Sequence, residues 1–142
     1  MMITKKFVER VLKKWIVHHE NIIKQSGGHQ GIRYEGGIYS LITKFLEHKE
    51  RYVDKPFERA AIILKTLASN QYFVDGNKRS AYTFAKAALL ENGLLLKPGY
   101  NDAFNFVMKV ANNLASNKEI IKWLKDNSVR TQRMRFLEIV KK

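Results

Sequence analysis

Apolar residues recur at three- and four-residue intervals along most of the chain, and most glycines fall between those stretches. That spacing predicts an all-α protein. Phe7, Val8, Val11, Leu12, Trp15, Ile16, Ile22 and Ile23 mark a first helix that Thr4 can cap and that ends near Ser26, Gly27 and Gly28. Residues 27–37 hold five glycines among eleven and read as a loop, with a short extended piece around Ile32, Arg33 and Tyr34. A second helix is expected over 38–47, with Leu41, Ile42, Phe45 and Leu46 facing inward.

Asp54 and Pro56 read as the cap and first turn of a third helix running to about Ser69. Its stripe of Phe57, Ala60, Ala61, Ile63, Leu64 and Leu67 is almost continuously apolar, which suits a central helix. After a polar loop at 70–76, a fourth helix is expected from about Asn77 to Asn92, with Gly93 as its stop and small residues along it for close packing. Leu94, Leu95 and Leu96 read as a short extended segment before a Pro98-Gly99 turn. Asn101-Asp102 would cap a helix to about Ala115, Asn117 would open another to Asp126, and a basic terminal helix is expected over 128–142. No repeat or low-complexity tract interrupts this order, so 1–142 reads as one domain.

Composition narrows the function classes. The 142 residues include no cysteine, which removes thiol nucleophiles and thiolate metal sites and is compatible with a reducing cytoplasm. No apolar run is long enough to span a bilayer, and the Met1–Lys6 opening lacks a signal-peptide core. A soluble, cytoplasmic protein with no membrane partner is expected. The formal net charge is +13, which favours polyanions: nucleic acid, nucleotides or an acidic protein. The excess is spread over both ends, from Lys5, Lys6, Arg10, Lys13 and Lys14 to Arg130, Arg133, Arg135, Lys141 and Lys142, as in a solvated basic surface.

Unusual chemistry concentrates at 70–82, a loop-to-helix junction. Gly76 permits backbone geometry that other residues resist. At Asn77 a helix begins, where free N–H groups and the helix dipole favour an anion. Lys78 and Arg79 place cations at that same end, against helix electrostatics unless an anion lies between them. Asp75 is a hard oxygen ligand suited to Mg²⁺ bridging phosphates. These residues describe a phosphate and Mg²⁺ cradle; a plain helix start, with Asn77 as cap and solvated cations, fits the same spacing.

The string Phe73-Val74-Asp75-Gly76-Asn77-Lys78-Arg79-Ser80-Ala81 resembles the Fic/Doc signature, H-x-F-x-[DE]-[AG]-N-[KG]-R. Gly27-Gly28, Gly31-Ile32-Arg33 and Glu35-Gly36 are similar to the glycine-rich loop of Doc-type (death-on-curing) members. Phe57–Ala61 and Glu91–Gly93 resemble the helices flanking the signature, so the likeness runs in order from about 5 to 125. It implies an all-α bundle that uses ATP and Mg²⁺ to move AMP (AMPylation, in Fic-type members) or a terminal phosphate (in Doc-type members) onto a Ser, Thr or Tyr of a target protein. It also admits an antitoxin-like partner. By that resemblance Phe73 anchors the loop, Asp75 holds Mg²⁺, Gly76 and Asn77 form the anion hole, and Arg79 clamps phosphates. Lys78, where typical Fic members have Gly, and Tyr82, where many have a second Arg, favour the Doc side.

The family's general base, the His two residues before the signature Phe, is Gln71 here, and Tyr72 stands where Pro often follows. A glutamine amide can orient a hydroxyl but cannot take its proton. Three readings stay open: a slow transferase, a nucleotide-binding protein without transfer, and an enzyme using another base. The rival from a different class is an inactive Fic-fold module that binds an acidic protein or nucleic acid. His18, His19 and Glu20 lack the spacing of a zinc site and read as solvated or core-edge residues.

Overall fold

The computed structural model describes residues 2–133. Among them are six helices and two short strands: α1 (Lys5–Ser26), α2 (Glu35–Arg51), α3 (Pro56–Asn70), α4 (Asn77–Leu90), β1 (Leu94–Leu96), α5 (Tyr100–Ala111), α6 (Asn117–Asp126) and β2 (Ser128–Arg130). The bundle is helical, as the periodicity predicts. Helix α3 lies at its centre, packing on α2, α4, α5 and α6. Ile63, Leu64 and Leu67 are fully buried there, because a wide apolar stripe packs against four neighbours while Glu58, Lys65, Thr66 and Ser69 keep the remaining face partly exposed.

Local chemistry sets the boundaries, and several differ from the sequence reading. Thr4 caps α1 by accepting from the Phe7 N–H at 3.1 Å. Helix α2 begins three residues early, at Glu35, and runs on to Arg51, so Gly36 and Gly37 are helical rather than loop. Gly37 is required for a packing reason: a Cβ there would enter the Tyr72 ring. Pro56 opens α3 as expected, but Lys55, not Asp54, holds the cap position and no side chain caps it. Helix α5 starts at Tyr100 and stops at Ala111 rather than Ala115. For α6, Ser116 and Glu119 form a reciprocal capping box, with bonds of 3.1 and 3.2 Å.

The largest correction is at the end of the described chain. Residues 128–130 do not begin a helix; they form β2, antiparallel to β1, with Leu95 opposite Val129. The backbone edge of Leu94–Leu96 gains ladder partners this way. The rest of the expected terminal helix, including Arg135, Lys141 and Lys142, lies outside the described residues, while Arg130 and Arg133 are exposed.

One charged residue is folded into the core. Arg59 of α3 is 2 % exposed, and its Nη1 donates to the Tyr52 carbonyl at 2.9 Å and contacts His48 Nδ1 at 3.2 Å. Burial first, and Arg59 second, push the His48 pKa below its ordinary value. The neutral ring can therefore accept from Arg59, and the end of α2 is tied to α3. Among the described residues, no helix is long and apolar enough to cross a membrane.

Candidate active site

The turn between α3 and α4 is built around Phe73. Its ring is fully buried and stacks on His19 of α1 with centroids 3.6 Å apart. Its backbone is held on both sides by one residue: the Phe73 N–H donates to Asn77 Oδ1 at 3.0 Å, and Asn77 Nδ2 donates to the Phe73 carbonyl at 2.9 Å. The Asn77 side chain is thus consumed in shaping the turn, and only its backbone remains for an anion. This refines the expected anion-hole role.

Gly76, at φ 74° and ψ 21°, is the N-cap of α4. The positive φ demands glycine, and a Cβ there would also have to push aside Ile23 Cδ1, which would lie 2.6 Å away. Among the described residues no side chain caps α4. Its first-turn N–H groups and the positive end of its dipole are therefore available to an anion. Lys78 and Arg79 are exposed on this first turn. With Tyr82, Tyr100, Phe104 and Met108 they line a groove of about 510 Å³. That volume is in the range of small-ligand sites.

The glycine-rich segment closes over the turn. Ile32 bridges Phe73, Val74 N–H donates to the Gly31 carbonyl at 3.0 Å, and Arg33 N–H donates to the Tyr72 carbonyl at 2.7 Å. The extended piece expected around Ile32 is this bridge. Two further contacts reach the charged groups. The His29 backbone N–H donates to Asp75 Oδ2 at 2.7 Å, and Arg79 Nη1 donates to the Ser26 hydroxyl. Sequence reasoning singled out neither His29 nor Ser26 for the site. They lie 46 and 53 residues from their partners, and only the Gly27–Gly28 turn directly after α1 hinted that this helix end bends toward something.

His19 is the other missed residue. It is 1 % exposed, neither solvated nor at the core edge, and its Nδ1 is 2.6 Å from the fully buried Ser80 hydroxyl. Among the described residues its Nε2 makes no hydrogen bond of full geometry, and the Asp75 backbone lies on that side of the site. Burial lowers its pKa from 6.5 to about 4, against a weaker opposing pull from the Asp75 backbone. The ring is therefore neutral at physiological pH and serves as a support for Phe73. Because the folded pKa lies below the unfolded one, this contribution to stability is full above pH 6.5 and is lost as pH falls toward 4. The loss is on the order of 3 kcal/mol. Urea denaturation across that range should show the midpoint falling with pH. His19→Phe, which keeps the stack and removes the titration, should flatten most of the slope.

Gln71 sits at the C-cap of α3 in the left-handed region, φ 51° and ψ 50°, with an exposed side chain. Next to it, Tyr72 packs edge-on against Tyr34, centroids 5.7 Å apart.

A model of the Fic/DOC family matches residues 9–89, more than half of the chain. The chain belongs to the Fic/DOC family. The matched span contains most of α1, the glycine-rich segment, α3 and the 73–81 string, and the helical fold agrees with the family's. No curated protein matches the chain closely enough to be called similar to it.

Magnesium is commonly held by one or two carboxylates together with substrate phosphates. Asp75 fits that requirement: among the described residues no hydrogen bond reaches its Oδ1. No group of three or more His, Asp or Glu is placed to hold a metal without phosphates among the described residues.

Proposed function

We propose that this Fic/DOC member is a nucleotide-dependent transferase of the Doc kind. It binds ATP at residues 75–79 and moves a phosphoryl or AMP group to a protein hydroxyl, slowly because Gln71 replaces the base. The observation that carries this reading is the convergence within one turn of a hard oxygen ligand, a helix N-terminus without a side-chain cap among the described residues and an exposed arginine that lines an aromatic-walled groove.

Each residue has a task in that scheme. Asp75 would hold Mg²⁺, which supplies charge neutralisation to the phosphates when bound. The N–H groups from Gly76 to Arg79 and the Arg79 guanidinium would orient the phosphate oxygens, with Lys78 as a further point charge. The groove lined by Tyr82 offers apolar and aromatic surface to a nucleoside. Phosphoryl transfer depends chiefly on positioning and electrostatics, so a site with these parts and no base retains a means of catalysis. Gln71 would orient the acceptor hydroxyl by hydrogen bonding.

The test is calorimetric titration of ATP with and without Mg²⁺. Binding should require Mg²⁺ and weaken by a factor of at least about ten in Arg79→Ala, the loss of one charge-assisted hydrogen bond. If the wild-type protein binds no nucleotide at millimolar concentration, the transferase reading fails. Replacement of the base favours one alternative, a Fic-fold module that binds an acidic protein or nucleic acid through its basic surface. That binding would ignore Arg79→Ala and fall steeply with salt.

A further inference from the structure

Ser26 ends α1, and its hydroxyl stands inside the candidate site with a defined orientation. The Oγ donates its proton to the Ile22 carbonyl at 2.5 Å and accepts from Arg79 Nη1 on its other side. The non-bonding face of the oxygen therefore points at the guanidinium that the 75–79 turn offers to phosphate, and the proton points away from it. Two groups hydrogen-bonded to one guanidinium are close neighbours, so a phosphate held by Arg79 has Ser26 Oγ beside it. Ser26 is exposed, and so is Gly27 after it; a φ of 87° at that glycine lets the helix end adjust without strain.

We propose that Ser26 is an acceptor in cis: the chain transfers a phosphorus group from a nucleoside triphosphate to its own Ser26 Oγ. The inference rests on the reading of residues 75–79 as a phosphate site. In the phosphoryl case the Oγ–P bond forms as the bond between the terminal phosphorus and the bridging oxygen breaks. The electron pair of the broken bond leaves with the diphosphate. In the AMP case the same attack at the α-phosphorus releases pyrophosphate. The serine proton passes to solvent. A loose transition state asks little of a base, and an acceptor already held at the phosphate clamp replaces the recruitment of a second molecule. The product limits itself. A phosphoserine carries about −1.5 to −2 charges and three strong acceptor oxygens, and at position 26 these face Arg79 and compete with the next nucleotide.

The experiment incubates the full chain with Mg²⁺ and ATP labelled at the γ- or α-phosphate, after calorimetry of the same preparation. Trypsin releases residues 25–33, in which Ser26 is the sole hydroxyl residue, so the label can be located without ambiguity. Expected is at most one group per chain, in that fragment, at a rate independent of protein concentration. The label should be absent from Ser26→Ala, and that variant should still bind ATP in the calorimeter, which separates loss of the acceptor from loss of the phosphate site. The modified chain should bind ATP about tenfold or more weakly than the unmodified one. Nucleotide binding with an unlabelled 25–33 fragment overturns the inference and leaves the phosphate site standing. Label on another residue, or a rate that rises with protein concentration, overturns it as well. Absence of nucleotide binding, seen in the calorimeter before any labelling, overturns both.

Discussion

Gln71→His raises the rate of transfer from ATP to protein hydroxyls by roughly 10²–10⁴, the usual worth of a positioned general base. Position 71 is prepared for it. The residue is exposed, ends α3 in the left-handed region at φ 51°, and stands two residues before the buried Phe73. Histidine is among the few non-glycine residues that tolerate that conformation well, so the exchange should cost little stability. The phosphate-holding groups at 75–79 are untouched, so the dissociation constant for ATP stays constant while the turnover changes. Label transfer into added protein acceptors, with calorimetry alongside, separates the two quantities. An unchanged rate with intact nucleotide binding would mean that proton removal does not limit this site.

Phe73→Ala destabilises the fold by about 3–5 kcal/mol, as truncation of a fully buried aromatic does. A typical domain has only about 5–15 kcal/mol in hand, so the variant should be marginal near body temperature. The effect reaches beyond the cavity. His19 loses the ring it stacks on at 3.6 Å, and a buried imidazole then lines an empty space. The turn gripped by Asn77 loses its anchor as well. Denaturant unfolding near neutral pH measures the first loss, and ATP titration at low temperature, where the variant remains folded, measures the second. Phe73→Leu, which refills most of the volume, should recover most of both. A Phe73→Ala protein as stable as wild type would contradict the anchoring role.

The bundle was legible in the sequence because helical spacing is local and because Thr4, Pro56 and Gly93 punctuate it where the helices change. The 73–79 string was legible for the same reason: the turn, the glycine and the cations are consecutive. Features that depend on distant packing were not. Gly37 looks like loop until the Tyr72 ring is laid against it. Ser128, Val129 and Arg130 follow a helix and precede a basic amphipathic stretch, and only the unpaired edge of residues 94–96 makes them a strand. His19, by contrast, lies four residues from both Trp15 and Ile23 on the buried stripe of α1, so its burial was legible in the spacing, and only its polar ring beside His18 and Glu20 pointed the other way. Ser26 and His29 reach Arg79 and Asp75 only once α1 and α4 are side by side. The site therefore has two layers. One is written in consecutive residues, and the other is contributed by a segment about fifty residues away.

Amide chemical shifts during a titration with ATP and Mg²⁺ test the central claim, that residues 75–79 form the phosphate site. The account predicts the largest shifts at Gly76, Asn77, Lys78 and Arg79, with a second set at Ser26 and from Gly28 to Gly31 as phosphate and Mg²⁺ arrive beside the Arg79–Ser26 and Asp75–His29 contacts. Shifts confined to the basic ends of the chain, or none at millimolar nucleotide, would contradict it.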